Sequence, residues 1–277
     1  MLNWILIDKI ILNALNEDIN YGDVTTENII LKQDKREAYF LAKQDGIIAG
    51  LDIAERVFKT IDKNIEFNAT KKDGEKVQKG SIFATIKGDI RSLLLAERIA
   101  LNFLQRMSGI ATMTNSFVQA VEGTGAYIVD TRKTVPGLRI LDKYAVKLGG
   151  GRNHRINLSD AVMIKDNHIE AAGGIEEAVG AVRNNIGHTL KIEVETESLE
   201  QVKEALECDV DIIMLDNMDI KQCEEAIKLI NKKAIVEASG NVDFDKAREL
   251  AKIGVDVISI GALTHSVKAM DISMKIK

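Results

Sequence analysis

From about residue 125 onward, short apolar runs rich in Val and Ile alternate with segments of helical spacing. The runs are Tyr127–Val129, Ala161–Ile164, Ile192–Val194, Asp211–Leu215, Ala234–Val236 and Val255–Ile260. Between them the spacing predicts helices over Ile175–Ile186, Leu199–Leu206, Lys221–Ile230 and Phe244–Ile253. Strands alternating with helices predict βαβ units and a parallel sheet. A polar or small residue closes or follows each run: Asp130, Lys165, Glu195, Asp216, Ser239 and Gly261. The last gaps, 21, 23 and 22 residues, are each about one βα unit. Strand ends of a β/α barrel share one face, where such residues form a site. A barrel is favoured over an open doubly wound sheet because every strand ends this way, not only those beside a switch point.

Residues 1–97 follow another pattern. Leu2–Leu15 reads as a helix, Ala38–Ala42 and Ile47–Ile48 as strand, and Leu51–Ile61 as a helix. Ile65–Ile86 reads as paired strands with turns at Asp73-Gly74 and Lys79-Gly80. Gly74–Gly80 superficially resembles a carrier-domain hairpin but has no lysine at an obvious tip. A long helix over about Arg91–Val121 joins the two parts.

Apolar residues make up 45% of the 277 and charged residues 29%, a mixture that buries a core and excludes general disorder. The run Ile5–Leu15 is broken by Asp8 and Lys9, short of the roughly 20 apolar residues of a membrane span. No secretory signal is expected, and Cys208 and Cys223, which form no CxxC motif, read as reduced thiols of a cytoplasmic protein.

The formal charge is −5, yet residues 132–165 carry a net +6 over 34 residues, leaving −11 on the rest. Lys143 and Lys147 read as a solvated helix face. Arg132, Lys133 and Lys165 closely follow apolar strands, which points to a small, multiply anionic ligand. RNA is the rival, but aromatics total 4% and none interleaves these cations. Glu193 and Glu195 flank Val194 and share one strand face, and Asp216 closes the next strand. They could hold Mg²⁺, bind sugar hydroxyls or stabilise a developing cation, or simply form structural ion pairs. Ala238–Asn241 and Ile260–Ser266 offer small residues where a phosphate can approach the backbone. Gly149-Gly150-Gly151 lacks a GxGxxG frame and reads as a flexible loop. Of the histidines, His188 reads as surface, while His154, His168 and His265 fall in strand-end loops. No zinc spacing and no GxSxG elbow is present.

The blocks Asp130–Arg139 (DTRKTVPGLR), Lys143–Val146, Gly149–Gly151, Asn153–Arg155 and Ile164–His168 resemble the quinolinate phosphoribosyltransferase family. The resemblance extends from Asp18–Thr26 through Ala96–Arg98 and Ser108–Thr112 to Glu193–Glu195, Leu215–Asn217, Ala238–Gly240 and Gly261-Ala262. It implies an α/β fold with an incomplete, open β/α barrel over residues 103–267 and an N-terminal α+β sandwich domain over 1–102, rejoined by the tail 268–277. It implies conversion of quinolinate and phosphoribosyl pyrophosphate to nicotinate mononucleotide, CO₂ and pyrophosphate, with Mg²⁺, in NAD synthesis. It further implies a cytoplasmic homodimer or larger assembly, with no nucleic-acid or membrane partner. By resemblance Arg132, His154, Arg155 and Lys165 contact quinolinate, with Arg98 supplied by a neighbouring subunit. Lys133 lies at the diphosphate and Thr131 beside it. Glu195 and Asp216 lie at the ribose and metal, and these two with Lys133 are the catalytic set. Ser239, Gly240, Asn241, Ile260, Gly261, Ala262 and His265 fall in phosphate-binding loops. Arg152 and Asn241 depart from the usual small residues there. A molybdenum-uptake-associated protein of the same fold and a Schiff-base aldolase using Lys165 are the remaining alternatives.

Overall fold

The structure is a computed structural model that describes residues 2–30 and 34–277. In chain order the first half holds α1 (Trp4–Ile19), α2 (Val24–Ile29), β1 (Lys35–Ala42), β2 (Gly46–Ile47), α3 (Leu51–Ile61), β3 (Glu66–Ala69), β4 (Lys76–Val77), β5 (Ile82–Asp89) and α4 (Ile90–Ala120). Then come β6 (Tyr127–Val129), α5 (Arg139–Leu148), β7 (Val162–Ile164), α6 (Asp166–Ala172), α7 (Ile175–Arg183), β8 (Ile192–Thr196), α8 (Leu199–Glu207) and β9 (Ile212–Asp216). The chain finishes with α9 (Ile220–Ile230), β10 (Ile235–Ser239), α10 (Phe244–Lys252), β11 (Val257–Ser259), α11 (Ala262–His265) and β12 (Ile272–Ile276). No helix among the described residues is long and apolar enough to cross a membrane. Both cysteines are free thiols.

The chain forms two compact units, one of residues 1–115, 134–150 and 263–277, the other of 116–133 and 151–262. The expected break at 102/103 therefore falls inside α4, and residues 134–150 group with the first unit. In that unit an antiparallel sheet has the order β12-β1-β5-β3. Its strands alternate inward and outward, and inward Phe40 and Phe83 stack with centroids 5.9 Å apart. Phe58 of α3 joins them, 6.1 Å from Phe40. α3 buries Ile53, Ala54, Val57 and Phe58 and exposes its charged face, as its spacing requires. Gly50, at φ +101°, has no side chain to cap α3; Asp73 does so, accepting from the Gly50 and Leu51 amides at 2.9 Å. The tail joins the sheet through β12, with Ala42 opposite Ile272 and Ala38 opposite Ile276.

Two readings of the 139–151 stretch need correction. Lys143 is 3% exposed and so is not part of a solvated face. Gly149–Gly151 is not a flexible loop. Gly149 ends α5 packed on α4, where a Cβ would strike the Ala111 carbonyl oxygen and lie 2.7 Å from Thr114 Cβ. Asn115 Nδ2 donates to its carbonyl at 3.3 Å. Only glycine permits that approach. The same unit holds a buried bidentate pair: Arg106 donates from Nε and Nη2 to Asp142 at 2.9 and 2.8 Å, and from Nη2 to the Thr264 carbonyl at 3.0 Å.

In the second unit six parallel strands lie in the order β6-β11-β10-β9-β8-β7. β6 and β7 are the ends of this order and do not pair with each other, so the barrel is incomplete. Beyond β6 the chain adds one more parallel bridge, Val129 to Arg152. The runs match the strands because both faces of a parallel sheet are covered, which demands continuous apolar sequence. α7–α10 begin at or within one residue of their predicted starts.

Candidate active site

A cavity of about 400 Å³ lies at the C-terminal ends of these strands. β6 leads into Thr131, Arg132 and Lys133, whose turn is fixed by the Lys133 amide donating to Thr131 Oγ1 at 3.0 Å. The bridged segment beside β6 supplies His154 and Arg155. Arg155 donates to the Ala161 carbonyl at 3.2 Å and reaches Met163 Sδ at 3.4 Å. Burial lowers its pKa, and the charge of nearby Arg132 adds to this. β7 leads into Lys165, which forms an ion pair with Glu195 near the end of β8. Asp216 closes β9 and accepts from Asn217 Nδ2 at 2.7 Å. Ser239 closes β10 and Ser259 closes β11. The cavity thus carries four basic side chains, Arg132, Lys133, Arg155 and Lys165, together with the acids Glu195, Asp216 and Glu237.

Glu195 lines the cavity, whereas Glu193 is not among its lining residues; it is 2% exposed and turned to His154. This separates the two carboxylates that the strand pattern left equivalent. Gly240 (φ +94°) and Asn241 (φ +48°) form the turn after β10, with Lys246 Nζ donating to the Gly240 carbonyl at 2.9 Å. Asn tolerates this left-handed backbone, which accounts for its replacing glycine. Arg152 stacks its guanidinium over Tyr127, 4.1 Å from the ring centroid, which gives that departure a packing role. Ile260, Gly261 and Ala262 follow β11. Arg98 and His265 belong to the first unit: Arg98 is exposed on α4, and His265 ends α11 with Nδ1 2.7 Å from Ser266 Oγ. His168 is committed locally, its Nδ1 accepting from the Lys165 amide at 3.0 Å. His188 is exposed, as expected. Sequence reasoning missed Met163, Met214, Glu237 and Ser259 as lining residues. Glu237 lies two positions before Ser239, so the face rule applied to Glu193 and Glu195 would have found it.

The profile of the quinolinate phosphoribosyl transferase C-terminal domain matches residues 110–275, and that of its N-terminal domain matches residues 23–108. The chain belongs to this family. It is 47% identical over 276 residues to a probable nicotinate-nucleotide pyrophosphorylase [carboxylating] of Synechocystis, covering 99% of this chain and 93% of that one. It is 46% identical to quinolinate phosphoribosyltransferase [decarboxylating] 2, mitochondrial, of Nicotiana glauca, covering 95% and 80%. Its fold matches NadC from Streptococcus pyogenes with a TM-score of 0.96 at 43% identity, over 100% of this chain and 98% of that one.

At the wall of the cavity of this family member lies a largely buried cluster. His154 Nε2 is 3.2 Å from Glu193 Oε2 and 3.4 Å from Glu237 Oε1. Asp130, fully buried at the end of β6, accepts from the His154 amide at 2.9 Å and from Asn153 Nδ2 at 2.6 Å. Burial opposes charge on His154, whereas the hydrogen bonds to Glu193 and Glu237 favour it. Burial, with the charge of Glu237 adding to it, holds Glu193 above the usual carboxylate range. His154 and Glu193 therefore share protons as a pair. The Arg155 amide, 2.8 Å from Nδ1, discriminates between these arrangements: it needs a lone pair there, not a second N–H. A ring protonated on Nε2 alone offers the Arg155 amide an acceptor, whereas the imidazolium turns a second N–H toward it.

Proposed function

We propose that the protein transfers the phosphoribosyl group of phosphoribosyl pyrophosphate to the ring nitrogen of quinolinate, releasing pyrophosphate and CO₂ and leaving nicotinate mononucleotide for NAD synthesis. The observation that carries this reading is the cavity with four cations and the carboxylates Glu195 and Asp216 at one set of strand ends, in a chain of this family. Quinolinate is a dianion, and Arg132, Arg155 and Lys165, with His154 beside them, present the charge it needs. Arg98 from a neighbouring subunit of a homodimer completes that shell. Lys133 stabilises the departing diphosphate. The turns Ser239–Asn241 and Ile260–Ala262 receive the 5′-phosphate through backbone amides.

As the C1–diphosphate bond breaks, positive charge grows on the ribose, and Glu195 and Asp216 stabilise it. The pyridine nitrogen then forms its bond to C1. Once quaternised, that nitrogen stabilises by its positive charge the C2 carbanion left when the 2-carboxylate departs as CO₂, and a proton from water then completes nicotinate mononucleotide, so no covalent enzyme adduct is needed. The two carboxylates also suit Mg²⁺, a hard cation that prefers oxygen ligands and substrate phosphates. Bound there, the ion would neutralise diphosphate charge. The reduced thiols support a cytoplasmic setting.

The test is an end-point assay with purified protein, phosphoribosyl pyrophosphate, Mg²⁺ and either quinolinate or nicotinate. Nicotinate mononucleotide and CO₂ from quinolinate alone are expected. Product from nicotinate, or none from quinolinate, would overturn the substrate assignment.

A further inference from the structure

His154 lines the cavity, but both of its ring nitrogens are already engaged by the protein. Nε2 faces Glu193 of β8 and Glu237 of β10, both 2% exposed. Nδ1 receives the backbone amide of Arg155 at 2.8 Å. A proton cannot sit on Nδ1 while that amide points at it, so the proton is on Nε2. A metal ion on the three side chains would need the Nε2 lone pair and would move the proton to Nδ1, against the amide. The cluster is thus built to hold an orientation.

What it orients is the segment beyond β6. Arg152 is held there by its bridge to Val129, Asn153 and the His154 amide by Asp130, and the Arg155 amide by the His154 ring. The Arg155 guanidinium, which lines the cavity, donates to the Ala161 carbonyl at 3.2 Å. We propose that Glu193 and Glu237 are positioning residues: they hold His154 in its Nε2–H tautomer, so that Nδ1 fixes the Arg155 backbone and aims its guanidinium at an anionic carboxylate of the substrate. Glu193 is not among the cavity-lining residues and acts through His154, whereas Glu237 lines the cavity beside the ring. The inference rests on the quinolinate reading for the identity of that anion, but its structural half does not.

Two measurements test it. In ¹⁵N-histidine-labelled protein without substrate, the resonances absent from His154→Gln should show one protonated nitrogen, Nε2, and one unprotonated nitrogen, Nδ1. Protonated Nδ1, in either the other neutral tautomer or the imidazolium, would overturn the proposal whether or not the protein turns over quinolinate. An inactive protein with the Nε2–H ring would instead sink the functional reading. In steady-state kinetics Glu237→Ala should raise the quinolinate KM about tenfold or more, the effect of one misplaced charged hydrogen bond. Its phosphoribosyl pyrophosphate KM should stay within about twofold. Glu237→Gln keeps an acceptor for Nε2–H and should recover most of the loss. Equal changes in both KM values, or no recovery with Gln, would show a merely structural role. If Glu237→Ala does not fold, Glu193→Gln and the labelled native protein still decide the question.

Discussion

Arg106 offers the sharpest test of the packing in the first unit. Asp142 is fully buried and the Arg106 side chain is 23% exposed, so the pair is largely withdrawn from water. Arg106→Met keeps the stem of the side chain but removes two N–H bonds to the carboxylate and one to the Thr264 carbonyl. It strands a charge inside the protein. Removing one partner of such a pair costs about 3–5 kcal/mol. Two charge-assisted hydrogen bonds at about 1.5–3 kcal/mol each give the same range. With about 2–4 °C per kcal/mol for a chain near this size, calorimetry should show Tm lowered by about 6–20 °C. The pair Arg106→Met/Asp142→Leu removes both charges and should regain most of that loss, since an apolar replacement of a buried ion pair is often neutral. A Tm shift under about 1 °C, the mark of an exposed pair, would refute the reasoning. So would a double variant no more stable than the single one.

Arg132→Ala should raise the quinolinate KM by about 10- to 150-fold, the equivalent of one charged hydrogen bond; unchanged kinetics would place Arg132 away from the substrate. Arg98→Ala and Lys165→Ala should each be nearly inactive alone, and mixing them under subunit exchange should restore part of the activity if Arg98 serves a neighbouring site. Gly240→Ala puts a Cβ 2.8 Å from the Asn217 amide at φ +94°, so it should raise the phosphoribosyl pyrophosphate KM more than the quinolinate KM. Asp23 caps α2 through the Thr25 and Thr26 amides, and Asp23→Ala should cost about 1 kcal/mol of local stability, read by amide exchange. Its hydrogen bond with the Thr26 hydroxyl is the main cause of a pKa below 3.8, so the cap should be fully present above the ordinary Asp value and be lost only as pH falls through the lowered one.

The barrel half was readable because each strand is a short apolar run and each helix keeps its own period. α3 was found residue for residue, since its apolar and charged positions separate cleanly. α2 escaped because Val24-Thr25-Thr26 is β-branched, and the element exists through the Asp23 cap rather than propensity. Lys143 was misplaced because its residue type predicts exposure, whereas the fold around α5 buries it. Gly149 was misread because its role depends on α4, which is remote in sequence. In the site, Arg132, Lys133, Lys165, Glu195, Asp216 and Ser239 were legible as polar residues closing apolar runs. The separate tasks of Glu193 and Glu195 were not, because which carboxylate meets Lys165 and which meets His154 depends on side chains from other strands.

The order of the strands also bears on how the chain is made. Ala42 pairs with Ile272, 230 residues later, and Tyr127 pairs with Val257, 130 residues later. At about 5–20 residues per second, a ribosome needs roughly 12–46 s to span the first interval. Throughout that time one edge of β1 has no neighbour, and a bare strand edge invites pairing with other chains. Nascent chains halted before residue 272 are therefore the species most exposed to aggregation, and the last five-residue strand closes that window.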